Sequence, residues 1–499
     1  MSEQTTGPRT YGNWRKPRTA GLFGLGTWGT RAMFLGIIIV IIVVMVGGLI
    51  PGAITFLVFG IGLLMVARKD SDGRSALTRV VTRVSWSRTR SLGANMYRSG
   101  PTGRTPWGTT QLPGLAAGSR LYEFEDSYGR PFAMIYLPST GDYTVVIGTE
   151  PDGAALVDPE QIDSWVADWG YWLGGLSDEP GIVGASVTVE SAPDSGTRLS
   201  AEINGQIDPN APAFAQQMLR EVLASYPQGS ASVRAYVAVT FNAQARTGAR
   251  RRDADEMGRD LATRLPGLTQ DLSSTGAGAA RPLSAAALCE VIRIAYDPDA
   301  AGLIDRMHAA GEPTGLRWPD VGPSGHQANW DSYQHDSAVS VTWQMTNAPR
   351  GIVQSNVLAK LLAPNNGIDR KRVTLVYRPI DSGTAAALVD ADVRAASAIA
   401  TAEKAATRDI QGTRAALATA REEGEGAGLV NFGMLITATV ADPDRIADVR
   451  ATVDNLSNTA RVRIRPAYGN QDSAFAAGLP LGVVLPKHLR IPIEFKDKF

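Results

Sequence analysis

The stretch MFLGIIIVIIVVMVGGLIPGAITFLVFGIGLLMV, residues 33–66, decides how this 499-residue chain is read. It holds no charged residue and is dense in Ile, Val, Leu and Phe. It is too long for a signal-peptide core and too long for one span of about 20 residues. Pro51-Gly52 interrupts it near the middle, where a turn is expected. The sequence therefore predicts a transmembrane helical hairpin of two short spans, with Trp28 at the interface. Arg15, Lys16, Arg18 and Arg31 precede it; Arg68, Lys69, Arg74 and Arg79 follow. Positive flanks on both sides predict a two-span plasma-membrane protein with both termini in the cytoplasm. A hairpin buried in a soluble core is the rival reading, and the lack of any polar face on either helix argues against it.

The charge distribution extends this picture. Formal net charge is zero, yet residues 1–122 carry 15 Lys+Arg against 3 Asp+Glu, which leaves an acidic remainder. Such a split predicts a basic arm facing something anionic. No acid occurs between Asp72 and Glu123. Within that run Leu77, Val80, Val81 and Val84 recur at helical spacing, with Arg79, Arg83, Arg88 and Arg90 around them. This is a basic amphipathic helix, suited to an anionic lipid surface. Packing against the soluble body is the plainer reading, and contact with DNA phosphates a third. With Cys289 as its single cysteine, the chain cannot form an internal disulfide, which fits a reducing compartment.

Beyond the Gly-, Pro- and Thr-rich linker at 100–118, strand and helix patterns alternate. Alternating runs at 121–124, 132–137, 143–147, 182–190 and 233–241 read as strands, as do 338–345, 373–377, 432–440 and 462–465. Asp158, Pro159 and Gln161 mark a helix start, and Trp165, Trp169 and Trp172 share one face of that helix as core residues. A long Ala-rich helix is predicted from about Ala385 to Arg421. The fold class is thus α+β: the hairpin, then a two-part cytoplasmic region with mostly antiparallel sheets. Its segments are a basic arm (1–30), the hairpin (31–68), the basic helix and linker (69–118), and α+β subdomains at 119–300 and 301–499.

Catalytic patterns are missing. No Gly-Lys dipeptide occurs, so a phosphate-cradling P-loop is excluded. Gly24 to Gly29 matches G-x-G-x-x-G but follows no strand. His326, Asp331, His335 and Asp336 form the richest polar cluster, at a spacing that fits no standard zinc site. A membrane-anchored metal-dependent enzyme would have to use it. Cys289 reads as a buried thiol. The residues therefore predict no catalytic, cofactor or metal site, and a chain that is not an enzyme.

The run Arg372-Val-Thr-Leu-Val-Tyr-Arg-Pro379, the long helix and the closing β-α-β unit resemble the N-terminal, non-catalytic domain of VirB-type conjugation ATPases. Gln471, Phe475 and Pro480 match the order of that family's segment leading into its motor domain. The hairpin resembles the short two-span membrane subunit that some conjugation systems fuse to this domain. Tyr11, Gly12 and Trp14, followed by basic residues, look like the opening of Gram-positive conjugative-element proteins of this layout. The resemblance implies a membrane-anchored scaffold or adaptor of a conjugative type IV secretion machine for DNA transfer. The chain ends at Phe499, where the family's motor would begin. The implied partners are the plasma membrane, a separate ATPase, other channel subunits and further copies of the chain, without sequence-specific nucleic-acid binding. A type VII (ESX-like) secretion subunit shares the same outline.

Overall fold

The computed structural model describes residues 9–489, except 13, 15–25, 68–69, 71–73, 101–102, 104, 106–108, 152, 154–155, 194–196, 226–230, 245–249, 350 and 402–406. Arg15, Lys16, Arg18, Arg68 and Lys69 therefore lie outside the described residues, as does most of the basic arm.

Helices α1 (Gly26–Gly47) and α2 (Leu49–Ala67) pack as an antiparallel hairpin. The chain reverses at Gly48, whose φ of 85° suits glycine. The transmembrane reading of this hairpin is corrected: among the described residues, no helix is long and apolar enough to cross a membrane. The uncharged apolar part of α1 beyond Arg31, residues 32–47, rises only about 24 Å, and the 19 residues of α2 about 28 Å, at 1.5 Å per residue. A bilayer's hydrocarbon core is about 30 Å thick. The two-span plasma-membrane location and the topology drawn from the basic flanks are withdrawn with it. Large apolar side chains such as Met45, Val46, Leu49 and Ile50 are exposed along the hairpin. Helix α3 (Ala76–Ser91) follows, capped by the Ser75 side chain, then the short strand β1 (Met96–Arg98).

The rest of the described chain is α+β. Its first half runs β2 (Arg120–Glu125), β3 (Pro131–Leu137), β4 (Asp142–Glu150), α4 (Pro159–Gly175), β5 (Ile182–Pro193), α5 (Thr197–Gln206), α6 (Ala213–Ser225), β6 (Ala231–Asn242), α7 (Ala254–Ser273), β7 (Ala279–Pro282) and α8 (Ala285–Tyr296). After α9 (Ala300–Ala309) the second half runs β8 (Gly325–Ala328), β9 (Tyr333–His335), β10 (Ala338–Asn347), α10 (Ala359–Leu362), β11 (Arg370–Pro379), α11 (Ser382–Ala400), α12 (Thr407–Gly424), β12 (Val430–Val440), α13 (Ile446–Thr459), β13 (Arg463–Pro466) and α14 (Gln471–Ala477).

These two halves repeat each other element for element. In each, the third strand pairs with its second, fifth and sixth strands, and the fourth pairs with the fifth. Thr144 of β4 lies opposite Thr240 of β6, just as Thr342 of β10 lies opposite Thr437 of β12. The halves join where β5 pairs antiparallel with β11, Val187 opposite Leu375, which relates them by an approximate two-fold. One 13-stranded sheet results, every pairing antiparallel. The single Ala-rich helix expected over 385–421 is instead the helical pair α11 and α12. Buried Ala385, Ala396 and Ala416 let their backbones approach closely.

Side-chain alternation gives the sheet two covered faces. On one, Phe132, Met134, Val145, Val237 and Phe241 pack with Trp172 of α4 and Leu261 and Leu265 of α7. Val341, Trp343, Val373 and Ile436 continue that face under α10 and α13. The opposite face is polar at its centre. Thr144 pairs with Thr240 (3.0 Å), Thr188 with Thr374 (3.1 Å), Thr342 with Thr437 (3.0 Å) and Ser340 with Thr439 (2.7 Å). All eight hydroxyl-bearing residues are buried. The segment from Gln471 to His488 lies over this row like a strap. The carbonyl of Gly478 accepts from Thr374 and that of Gly482 from Thr240.

Candidate functional site

The polar cluster at 325–337 does not converge. His335 is fully buried, with Nδ1 2.6 Å from the Tyr296 carbonyl and Nε2 2.8 Å from Ser340 Oγ. His326 stacks on Tyr97 at 5.3 Å. Asp331 pairs with Arg450, and Asp336 with Arg293 and the Ser324 N–H. Among the described residues, no group of three His, Cys, Asp or Glu side chains could hold a metal ion. Cys289 is buried on α8, and burial pushes its thiol up to about 12.

Desolvation pushes the imidazoles of His335 and the partly buried His326 down to about 4. In the unfolded chain they titrate near 6.5. The unfolded state therefore binds more protons below that value, and the folded state loses stability as pH falls from about 6.5 toward 4. Urea midpoints should already drop between pH 7 and pH 5, above the range of ordinary carboxylates. The expected loss by pH 5 is roughly 2 kcal/mol per imidazole. A midpoint that stays flat over that interval would contradict the neutral assignment.

The residues carrying the family resemblance are mostly structural. The Gln471 amide is buried and brackets Thr342, accepting from its N–H (2.8 Å) and donating to its carbonyl (3.2 Å). Phe475 is buried between Tyr296, Tyr333 and His335, and Pro480 belongs to the buried strap. At the other end, Tyr11 bridges to Val353 and donates its hydroxyl to Asp163 (2.9 Å). Gly12 passes over the Gly351 carbonyl, and Trp14 meets the edge of Phe432. These positions tie the N-terminal segment to the body. Among the described basic flanks, Arg79 pairs with Asp70.

At the seam of the halves Glu190 is buried between Arg370 and Arg372, which hold its carboxyl down to about 2 against the cost of burial. Arg372 also lies over the Phe475 ring at 5.6 Å.

Two of the outward surfaces carry patterns that the sequence pointed to. The first is the arm of α11 and α12, which exposes Leu388, Ile410 and Leu417. The second surrounds α3. Its Leu77, Val80, Val81 and Val84 stripe is 44–62% exposed, so the body does not cover it. Its opposite side carries Trp86, which packs against Trp330 at 6.1 Å. The helix is therefore docked on the body by one side and free on the other. Sequence reading did not find this aromatic contact, because its partners come from distant segments.

A family model described as a domain of unknown function (DUF8461) matches residues 18–78, which include the hairpin and the first residues of α3. No curated protein matches the chain.

Proposed function

We propose that the chain is a non-catalytic scaffold subunit of a conjugative type IV secretion machine, docking a separately encoded motor ATPase. The observation that carries this reading is the arm of α11 and α12, which sits where the resembled family has its long helix and holds exposed apolar residues on a self-packed pair. A single sheet running through both halves gives that arm a rigid base. The docking surface excludes the strap from Gln471 to Val483, whose side chains are committed to the sheet. A lipid surface is a further partner on this reading, met by the Leu77–Val84 stripe. Interfaces of this kind bury at least about 1,000 Å² in total.

The test is co-purification from cells carrying the whole conjugative element. Leu388→Glu, Ile410→Glu and Leu417→Glu together should remove the ATPase from the purified complex and leave the circular dichroism of the chain unchanged. Full retention of the ATPase by this variant would refute the docking surface. Flotation with anionic vesicles tests the lipid contact: Val80→Ser, Val81→Ser and Val84→Ser should cut vesicle binding severalfold, and unchanged flotation would refute it.

A further inference from the structure

The hairpin of α1 and α2 has no part in that reading. Its large apolar side chains from Phe34 to Met65 are 40–85% exposed. Together they present on the order of 2,000 Å² of apolar surface, where the largest patch on a typical monomer is about 300–600 Å². Helix α2 gives this surface a pattern. Its inner side meets α1 closely: a Cβ on Gly52 would run into Val44, and Phe59 fills the place a Cβ on Gly36 would take. On the flank beside that side, Ala53, Leu57, Gly60 and Leu64 recur at i, i+4, i+7 and i+11, the spacing of a heptad seam. Leu57 is 63% and Leu64 62% exposed, and Ala53 is exposed. A Cβ on Gly60 would meet nothing within 4 Å among the described residues. Large and small side chains therefore alternate along an open seam, and no charged residue occurs in α2.

We propose that this seam is a dimer interface, pairing α2 antiparallel with α2 of a second copy of the chain. A two-fold axis crossing between positions 58 and 59 sets Leu57 against Gly60 of the second copy and Leu64 against Ala53 of the second copy, and the reverse. Every layer then places one large side chain over one small one, so that knobs fill holes and the helices approach closely. The seam is complementary to itself, as a two-fold interface requires. A parallel pairing would set leucine on leucine and leave a gap at each small residue. A stable interface takes about 800 Å² from each partner, well within the apolar area that the hairpin exposes. A coat of detergent or lipid covers apolar surface without regard to this alternation, so the alternation favours a second copy. The inference does not rest on motor docking, and none of its variants lies on α11 or α12.

The test is sedimentation velocity of the full chain in a mild non-ionic detergent, joined to cysteine cross-linking. The parent should sediment as a dimer. Gly60→Leu should weaken self-association at least tenfold with helix content kept, because the position is open within the chain and leucine is the better helix former. Gly62→Leu is the control. A Cβ there also meets nothing within 4 Å among the described residues, but it lies about 200° round the helix from Gly60, so the dimer should persist. Leu64→Cys and Ala53→Cys chains should form a disulfide-linked dimer when co-expressed and none when expressed singly. Like positions lie about 16 Å apart along the helix axis in the antiparallel pair, and a disulfide needs Cα atoms within about 7 Å. The native Cys289 is buried and takes no part. A monomeric parent overturns the proposal and assigns the hairpin surface to the detergent or lipid around it. A dimer indifferent to Gly60→Leu, or lost equally in Gly62→Leu, overturns the seam, and cross-links from Leu64→Cys alone overturn the antiparallel pairing.

Discussion

A chain ending at Tyr468 should fail to fold. The residues lost include Phe475, Leu479, Leu481 and Val483, each at most 8% exposed, and Gln471, which is fully buried. Burying one such apolar side chain is worth about 1.5–3 kcal/mol, so the four together approach the whole stability of a domain, about 5–15 kcal/mol. Their removal would also strip the carbonyls of Gly478 and Gly482 from Thr374 and Thr240, leaving a row of hydroxyls that no longer meets its cover. Gly482→Val tests the same contact with one residue. Its φ is 67°, and a Cβ there would lie 2.0 Å from Thr144 Oγ1 and 2.5 Å from Thr240 Oγ1, inside contact distance of two buried strands. Left-handed backbone costs a branched residue about 1–2 kcal/mol, and overpacking adds about 1–3 kcal/mol. Limited proteolysis and circular dichroism should show the truncated chain unfolded and Gly482→Val melting well below the parent. A truncated chain with native secondary structure and a cooperative melt would contradict the role given to the strap.

Glu190→Gln should cost about 3–5 kcal/mol, the range for breaking a buried ion pair by removing one partner. The carboxylate stands between Arg370 and Arg372, and the Arg372 side chain is 2% exposed, so the substitution leaves cationic charge in the interior without its counterion. Replacing Glu190 by Leu and Arg372 by Met together should recover part of that loss, because Arg372 and the carboxylate are exchanged for apolar packing beside Phe475 while Arg370, 12% exposed, still lacks its counterion. The pH dependence follows from the carboxyl being held down to about 2. Its contribution is complete above the ordinary carboxylate range, near 4.3, and is lost as pH falls from there toward 2. Urea unfolding of the single and double variants measures both effects. A Glu190→Gln protein as stable as the parent would show that the seam does not depend on this charge.

The strands were legible because their apolar alternation is local. The tryptophan face of α4 was legible too: Trp172 is buried and Trp169 stacks on it at 5.0 Å. Pro159 starts that helix as expected, although the Asp158 side chain makes no capping hydrogen bond. The second covered face was not legible. Thr144, Thr240, Thr342, Thr374 and Thr437 alternate with apolar residues as a solvent-facing row would. They become an interior only through hydroxyl pairs between strands 95 to 186 positions apart in the chain. The repeat of the two halves was legible only as a recurring theme of strands and helices, with no short internal repeat, for a related reason. Its strand pairings recur, but β8 and β9 have 4 and 3 residues where β2 and β3 have 6 and 7. The hairpin fails differently: the uninterrupted apolar composition is real, but among the described residues no helix is long and apolar enough to cross a membrane. In the candidate surfaces, the amphipathic pattern of α3 was readable. The stacking partners of Trp86 were not, because Trp330 and Tyr468 reach it from loops far along the sequence.

Photo-crosslinking in cells carrying the intact conjugative element tests the scaffold reading most directly. A benzoylphenylalanine placed at Leu417, exposed on α12, should give an adduct containing a separately encoded ATPase. The same probe at Tyr128, exposed on the turn between β2 and β3, should not, and the purified chain alone should release no phosphate from ATP. Absence of an ATPase adduct at Leu417, or ATP turnover by the chain itself, would contradict the account.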